Sequence, residues 1–270
     1  MGSENREANA KRAREWVNTV NMFWHDEIEQ SLQHTYCEND FKLRDDIEDG
    51  TITDTKVHLW FCNVQDAVRR FMAEHPDEKL CVLNFASYKN PGGKFIDGSM
   101  AQEEALCHES ALYPILSKFG GVYYSRKDRL RNGLYGEDFI YAEQVPFLKD
   151  PTQPIGEHTN MYKVDILTYA APCLLRRAVT DAYYRTMYVR MINAMVYPAI
   201  YRGATSIVLG AWGCGVFCNP PRWVAKQWDY LSENGLGKYY NHIIHPVPYG
   251  HNATAFHENI IWHTNTDIRS

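Results

Sequence analysis

The sequence predicts an α/β protein, a sheet with helices on both faces. Three observations carry that reading. From Lys56 onward, apolar runs of strand length alternate with helical patterns. Two of the strand-to-helix passages run through glycine-rich turns, Asn90-Pro91-Gly92-Gly93 and Gly213-Cys214-Gly215. The strongest helical period, residues 178–200 with Tyr183, Met187, Met191, Ala194, Met195 and Pro198 on one face, falls between two such strands.

In chain order, residues 9–34 place Trp16, Val17, Val20, Phe23, Trp24, Ile28 and Leu32 near helical spacing, which predicts one amphipathic helix or two. Residues 37–56 are polar and acidic and read as a loop. The chain is therefore divided into an N-terminal helical extension, 1–55, and a main domain, 56–270. Val57–Phe61 is strand-like, and Asn63 is placed to cap a helix through Val68, Phe71 and Met72. Leu80–Asn84 reads as a buried strand, followed by the first glycine turn and a helix carrying Ala105, Leu106, Leu112 and Leu116. Phe139–Tyr141 and Val145–Phe147 read as short strands, and Tyr162–Tyr169 as a longer one. Ser206–Leu209 is a buried strand that enters the second glycine turn. Asn219-Pro220-Pro221 opens a helix ending near Gly235, with asparagine as its cap. His242–His245 is the last strand expected.

Composition narrows the function. A formal net charge of −5 argues against bulk or direct sequence-specific nucleic-acid binding, which asks for a basic face. The basic run Arg126, Lys127, Arg129 and Arg131 reads equally as a solvated loop or as a contact for phosphates. No apolar run approaches the ~20 residues that span a bilayer. Seven cysteines without regular spacing suggest reduced thiols, so a cytoplasmic protein is expected, or a nuclear one in a eukaryotic source. A monomer is expected.

The two turns carry the chemistry. In open α/β sheets, ligands bind at the carboxyl ends of strands, where these turns sit. Gly213 and Gly215 can expose successive N–H groups ahead of a helix N-terminus, the make-up of a diphosphate cradle. Phe217 beside them fits either a ring stacked on base or ribose or a core aromatic. Neither turn is a Walker A loop, and neither opens a G-x-G-x-x-G dinucleotide unit. Gln102-Glu103-Glu104 stands at the start of the helix after the first turn. First-turn acids also simply offset a helix dipole. As a functional pair they are too close to flank a glycosidic bond from both sides, but one can act as general acid while the other holds a hydroxyl. Such an acid needs its pKa raised from ~4.3 toward neutrality by burial or by its neighbour. His108, one turn after Glu104, is a candidate to tune that charge. Cys214 is better read as a small loop residue than as a nucleophile. A zinc site from Cys214, Cys218, His242 and His245 fits no common spacing.

Asn84-Phe85-Ala86-Ser87, Asn90-Pro91-Gly92-Gly93, Ala101-Gln102-Glu103-Glu104, Leu112-Tyr113-Pro114 and Leu209 through Phe217 follow one another in the order of the microbial-type poly(ADP-ribose) glycohydrolases, a branch of the macrodomain family that this chain resembles. The resemblance implies a three-layer α/β/α macrodomain with a mixed central sheet. It implies hydrolysis of the ribose–ribose O-glycosidic bond in poly(ADP-ribose), with an ADP-ribose polymer or an ADP-ribosylated protein as partner and neither cofactor nor metal. Glu104 would protonate the leaving oxygen, Glu103 would fix ribose hydroxyls, and Gln102 would support the loop. Gly213, Cys214, Gly215 and Val216 would hold the diphosphate, with Phe217 on ribose or adenine. Asn84, Ser87 and Asn90 are each candidates for the distal ribose. Lys94 departs from the family's glycine triplet, and it either adds an ionic contact to phosphate or narrows the site. The same pattern is open to a non-catalytic ADP-ribose reader or a mono-ADP-ribosyl hydrolase. The expectation for the glycohydrolase is that both turns reach one nucleotide diphosphate, with Glu104 aimed at the anomeric carbon.

Overall fold

The computed structural model describes residues 3–39, 41, 49–124, 138–175 and 193–267. The fold is mixed α/β, as expected from the alternation. Its hydrogen-bonded strand order is β1-β4-β5-β3-β6-β7-β2-β8. Among the described residues the chain falls into two units, one drawn from 3–38, 84–124 and 139–170, the other from 39–83, Asp138, 171–175 and 193–267.

The first unit begins with α1 (Ser3–Phe23) and α2 (His25–Gln33). The expected amphipathic stretch is thus two helices, broken at Trp24, whose ring is wholly buried and meets Trp16 edge-on at 5.8 Å. β1 (Thr35–Glu38) then pairs antiparallel with β4 (Phe139–Leu148), and β4 with β5 (Met161–Tyr169). β1 overturns part of the loop expected from residue 37. A four-residue strand is too short to display an alternation, and its pairing comes from the partner strand. The two short strands expected at 139–147 are one strand with a bulge between Ala142 and Val145. Gln144 sits there at φ 52°, and its amide donates to buried Asp165 at 2.9 Å. A bulge of this kind breaks the period-2 pattern without ending the strand. The helix expected after the first turn is two, α4 (Gln102–His108) and α5 (Leu112–Ser117). Ser110 separates them, bridging to Phe147 and turning its hydroxyl back to the Leu106 carbonyl at 2.7 Å. A π-helical turn, Gly120–Tyr124, closes this segment.

The second unit holds the parallel strands. β2 (Lys56–Trp60) pairs with β7 (His242–Pro246) and β8 (Thr264–Asp267). β3 (Leu80–Phe85) pairs with β6 (Ser206–Val208), and β6 with β7. β6 and β7 are buried along their whole length, with Ile207, Val208, Ile243 and Ile244 between the polar residues Ser206, His242 and His245. α3 (Val64–Glu74) starts where expected, with the Asn63 side chain accepting the Asp66 amide at 2.8 Å. Of α6 the described part is 193–202; the rest of the helix expected at 178–200 lies outside the described residues, as does the basic run Arg126 to Arg131. α7 (Pro221–Asn234) ends at Gly235 as expected, but its cap is Pro220 rather than Asn219. α8 (His251–Asn259) and β8 have no counterpart in the sequence reading. The chain Thr-Asn-Thr-Asp is polar throughout and offers no strand periodicity. No helix among the described residues is long and apolar enough to cross a membrane.

Candidate active site

β3 ends at Phe85, and the chain then makes the turn that carries the first cluster. Gly92 and Gly93 both adopt φ +63°, a conformation that side chains rarely take. They are also pressed against the groups they serve. A Cβ on Gly93 would stand 2.5 Å from Glu104 Oε1 and 3.0 Å from Glu103 Oε2, and one on Gly92 2.8 Å from the Tyr113 ring. Lys94, where the triplet departs, is not in that conformation, and its side chain is exposed. Its amide does the work of the position by donating to Glu104 Oε1 at 2.9 Å. The departure therefore leaves the backbone of the turn intact.

The two carboxylates are buried, Glu103 at 3% exposure and Glu104 at 7%. Glu103 is occupied on both oxygens: Oε1 by Asn84 Nδ2 at 3.2 Å, Oε2 by the Ser87 amide at 2.7 Å. Burial, opposed by those two donors and reinforced by the Glu104 charge, pushes the Glu103 carboxyl up to about 8. Glu104 is held on one oxygen only; Oε2 is buried and has no partner. Gln102 accepts the Phe85 amide at 2.8 Å and so ties the start of α4 to the end of β3. Asn84, wholly buried, also donates to Thr168 at 3.2 Å. Ser87 is half-buried, and its hydroxyl accepts the amides of Lys89 and Asn90, both at 3.2 Å. Asn90 is exposed at the lip of the turn. His108 faces the Phe95 ring edge-on at 4.7 Å, and burial, then the Arg12 charge, lower its pKa.

The sequence reading missed Tyr124. Its hydroxyl is buried without a partner, and burial, then the Glu103 charge, hold it well above the ordinary phenol range. The nearest signal was the Gly120-Gly121 pair that allows the π-helical turn.

In the second unit the strand β6 runs into the other turn. Gly210 O accepts the indole N–H of buried Trp228 at 2.8 Å, which anchors the turn to α7. Gly213 adopts φ +74°, and a Cβ there would stand 2.5 Å from Asn219 Nδ2. Asn219, expected as a helix cap, instead staples the turn, donating to Pro172 O at 2.8 Å and Gly213 O at 3.1 Å. Gly215 has open space around it and Val216 is 76% exposed. Burial pushes the Cys214 thiol up to about 12, which leaves it unsuited to attack. Phe217 is half-buried, and its carbonyl accepts the Leu174 amide at 2.8 Å. Beyond the carboxyl ends of β2 and β7, Phe61 and Tyr249 stack at 5.2 Å, with Tyr249 61% exposed. Sequence reading passed over this pair because the partners are far apart in the chain. Among the described residues no group of three His, Cys, Asp or Glu is placed to hold a metal ion. His242 instead meets His58, Nδ1 to Nε2, at 2.9 Å.

Adjacent buried carboxyls under a glycine turn, one with an oxygen left over, suit acid-assisted cleavage of a glycosidic bond. The chain belongs to the family of microbial-type PARG catalytic domains, whose model matches residues 16–150, half of the sequence. The matched stretch takes in β3, the first turn and both carboxylates. Solved structures agree over more of the chain. Poly(ADP-ribose) glycohydrolase from Thermomonospora curvata, bound to the inhibitor ADP-HPD, is 26% identical with a TM-score of 0.80, over 94% of this chain and 99% of that one. The enzyme from Deinococcus radiodurans in complex with ADP-ribose is 27% identical with a TM-score of 0.71, over 86% of this chain and 96% of that one. No curated protein sequence gives a significant match.

Proposed function

We propose that this chain is a poly(ADP-ribose) glycohydrolase that hydrolyses ribose–ribose O-glycosidic bonds and releases ADP-ribose, with Glu104 as general acid. The observation that carries the assignment is the unequal treatment of the two carboxyls. Both Glu103 oxygens are taken, whereas Glu104 keeps one buried oxygen without a partner. That oxygen is the one that can carry a proton to the leaving ribose. Glu103, its carboxyl held up to about 8 by burial, is suited to a hydrogen bond with a ribose hydroxyl. Asn84 is committed to Glu103 and Thr168, so its role is support, and Ser87 and Asn90 are left to meet the distal ribose.

In this reading Gly92, Gly93 and Lys94 form the wall over the carboxylates and Gln102 sets their helix. The diphosphate goes to the turn Gly213, Cys214, Gly215 and Val216, of which Gly215 and Val216 are exposed to meet an anion, with Phe217 against ribose. Phe61 and Tyr249 offer the adenine a stacking platform. The relatives bound to ADP-ribose and to ADP-HPD support this substrate class. We further take residues 1–55 as a helical extension serving a catalytic part at 56–270, the partner as ADP-ribose polymer or ADP-ribosylated protein, and the protein as a monomer of a reducing compartment. The described cysteines are all free thiols, in keeping with that compartment.

The test is release of free ADP-ribose from purified polymer by the native protein, Glu104→Gln and Glu103→Gln. Loss of the acid lowers kcat by about 10²–10⁴. Binding without release makes the chain a reader, and release from mono-modified targets alone makes it a mono-ADP-ribosyl hydrolase. The raised Glu103 carboxyl favours one second reading, Glu103 as the acid, and a larger loss in Glu103→Gln than in Glu104→Gln would establish it.

A further inference from the structure

Residues 90–99 are a run of tight turns closed by backbone bonds: Gly93 N–H to Asn90 O at 3.0 Å, Phe95 to Gly92 at 3.1 Å, Gly98 to Phe95 at 3.0 Å. Lys94 is their knot. Its carbonyl accepts the amides of both Asp97 and Ser99, each at 3.1 Å, while its own amide holds Glu104 Oε1. The far end of this run is gripped by α1. Gly98 adopts φ +78°, and a Cβ there would stand 2.0 Å from the Arg6 carbonyl oxygen and 2.8 Å from the Ala10 nitrogen. Backbone meets backbone at that point, which only glycine permits. Two α1 side chains then bond the loop's carbonyls. Arg6 Nε donates to Asp97 O at 3.0 Å, and buried Asn9 Nδ2 to Gly98 O at 3.4 Å. Arg12 donates to Asn9 Oδ1 from the next turn of the helix. A helix that merely covered apolar surface would need none of these polar contacts. A second anchor, Trp16 Nε1 to Ser110 O at 2.9 Å, ties α1 to the chain just beyond α4.

We propose that α1 is a brace for the general acid: Arg6, Asn9 and Gly98 are positioning residues that hold Lys94, and through its amide Glu104, in register. The inference rests on the reading of Glu104 as the acid. Phe95 makes the coupling stiff, because it is wholly buried between the rings of His108 and Tyr113, so the loop has no room to pivot at Lys94. A shift of ~1 Å at a catalytic group costs up to about 10²-fold in rate.

The experiment uses the full chain with Arg6→Ala/Asn9→Ala, with Arg6→Lys as the conservative control, and with Gly98→Ala. Each is read for kcat and KM on polymer, for amide hydrogen exchange at Lys94, and for Tm. The double variant is expected to lose about tenfold in kcat with KM within about twofold, and to exchange the Lys94 amide about tenfold faster. Arg6→Lys, which keeps a donor for Asp97 O, should retain most of the rate. Gly98→Ala should reproduce the double variant more strongly if it folds, and the side-chain variants decide the matter if it does not. A lower Tm with kcat and Lys94 exchange unchanged would reduce α1 to a cover and overturn the proposal. So would faster exchange without any loss of kcat. Should the native protein release no ADP-ribose at all, the glycohydrolase reading fails, while Lys94 exchange still decides the brace.

Discussion

The turn after β3 and the turn after β6 are both glycine passages from a buried strand to a helix, yet they are built to opposite ends. The first is packed shut. Gly93 faces a carboxylate oxygen and Gly92 the Tyr113 ring at distances no Cβ tolerates, and the carboxylates beneath the turn are buried. The second is closed only at its root, where Gly213 meets Asn219, and is open at Gly215 and Val216. The difference suits the roles proposed for the two turns. A proton donor gains from fixed geometry and exclusion of water, whereas an anion needs amides it can reach.

The comparison breaks most plainly under alanine. Beyond the loss expected at Glu104 itself, Gly93→Ala should lower kcat by about 10²-fold by pushing Glu104 aside, with ADP-ribose affinity little changed. Gly213→Ala should do the reverse. It should weaken ADP-ribose binding by about tenfold, roughly 1.4 kcal/mol, while bound substrate turns over near the native rate. Calorimetric Kd beside single-turnover rates would separate the two, and a pair of variants that lose both properties equally would erase the distinction.

A smaller effect concerns pH. The Glu103 carboxyl is raised in the folded state from 4.5 to about 8, so its contribution to stability is fully present below pH 4.5 and lost as pH rises through 8. Glu103→Gln should therefore gain Tm relative to the native protein as pH climbs across that window, at about 2–4 °C per kcal/mol. A Tm difference that stays flat with pH would mean the carboxyl is not held neutral. The smallest effect is a control at a residue that belongs to neither turn. His158 Nδ1 contacts buried Glu27 Oε1 at 2.6 Å, and that bond, then the Glu27 charge, raise the His158 pKa above its ordinary 6.5. The contact stabilises fully below pH 6.5 and fades as pH rises through the raised value. His158→Ala should lower Tm slightly at pH 6 and hardly at pH 9, leaving kcat and Kd alone. A change in either would show that the control is not independent.

Much of this was legible in the sequence because the relevant signals are local. The central strand β3 opens on the apolar run Leu80 to Leu83, the Asn63 cap follows from its spacing, and Glu103 and Glu104 stand in one helix turn. What stayed hidden depends on contacts between distant residues. The β4 bulge needs Asp165 to accept the Gln144 amide, and β1 needs β4 as its template. Asn219 looks like a cap because asparagine before Pro-Pro usually is one; its actual partners, Pro172 and Gly213, are set by the fold. Tyr124 and the Phe61–Tyr249 pair lack any sequence pattern, since each derives its meaning from a neighbour in space.

Position 94 has a last consequence. Backbone bonds hold this position in the turn, its amide to Glu104 Oε1 and its carbonyl to the amides of Asp97 and Ser99, while its side chain is exposed. A change of side chain there alters the charge of the exposed turn and leaves those backbone bonds in place. Proline alone is barred, because it has no hydrogen to give Glu104.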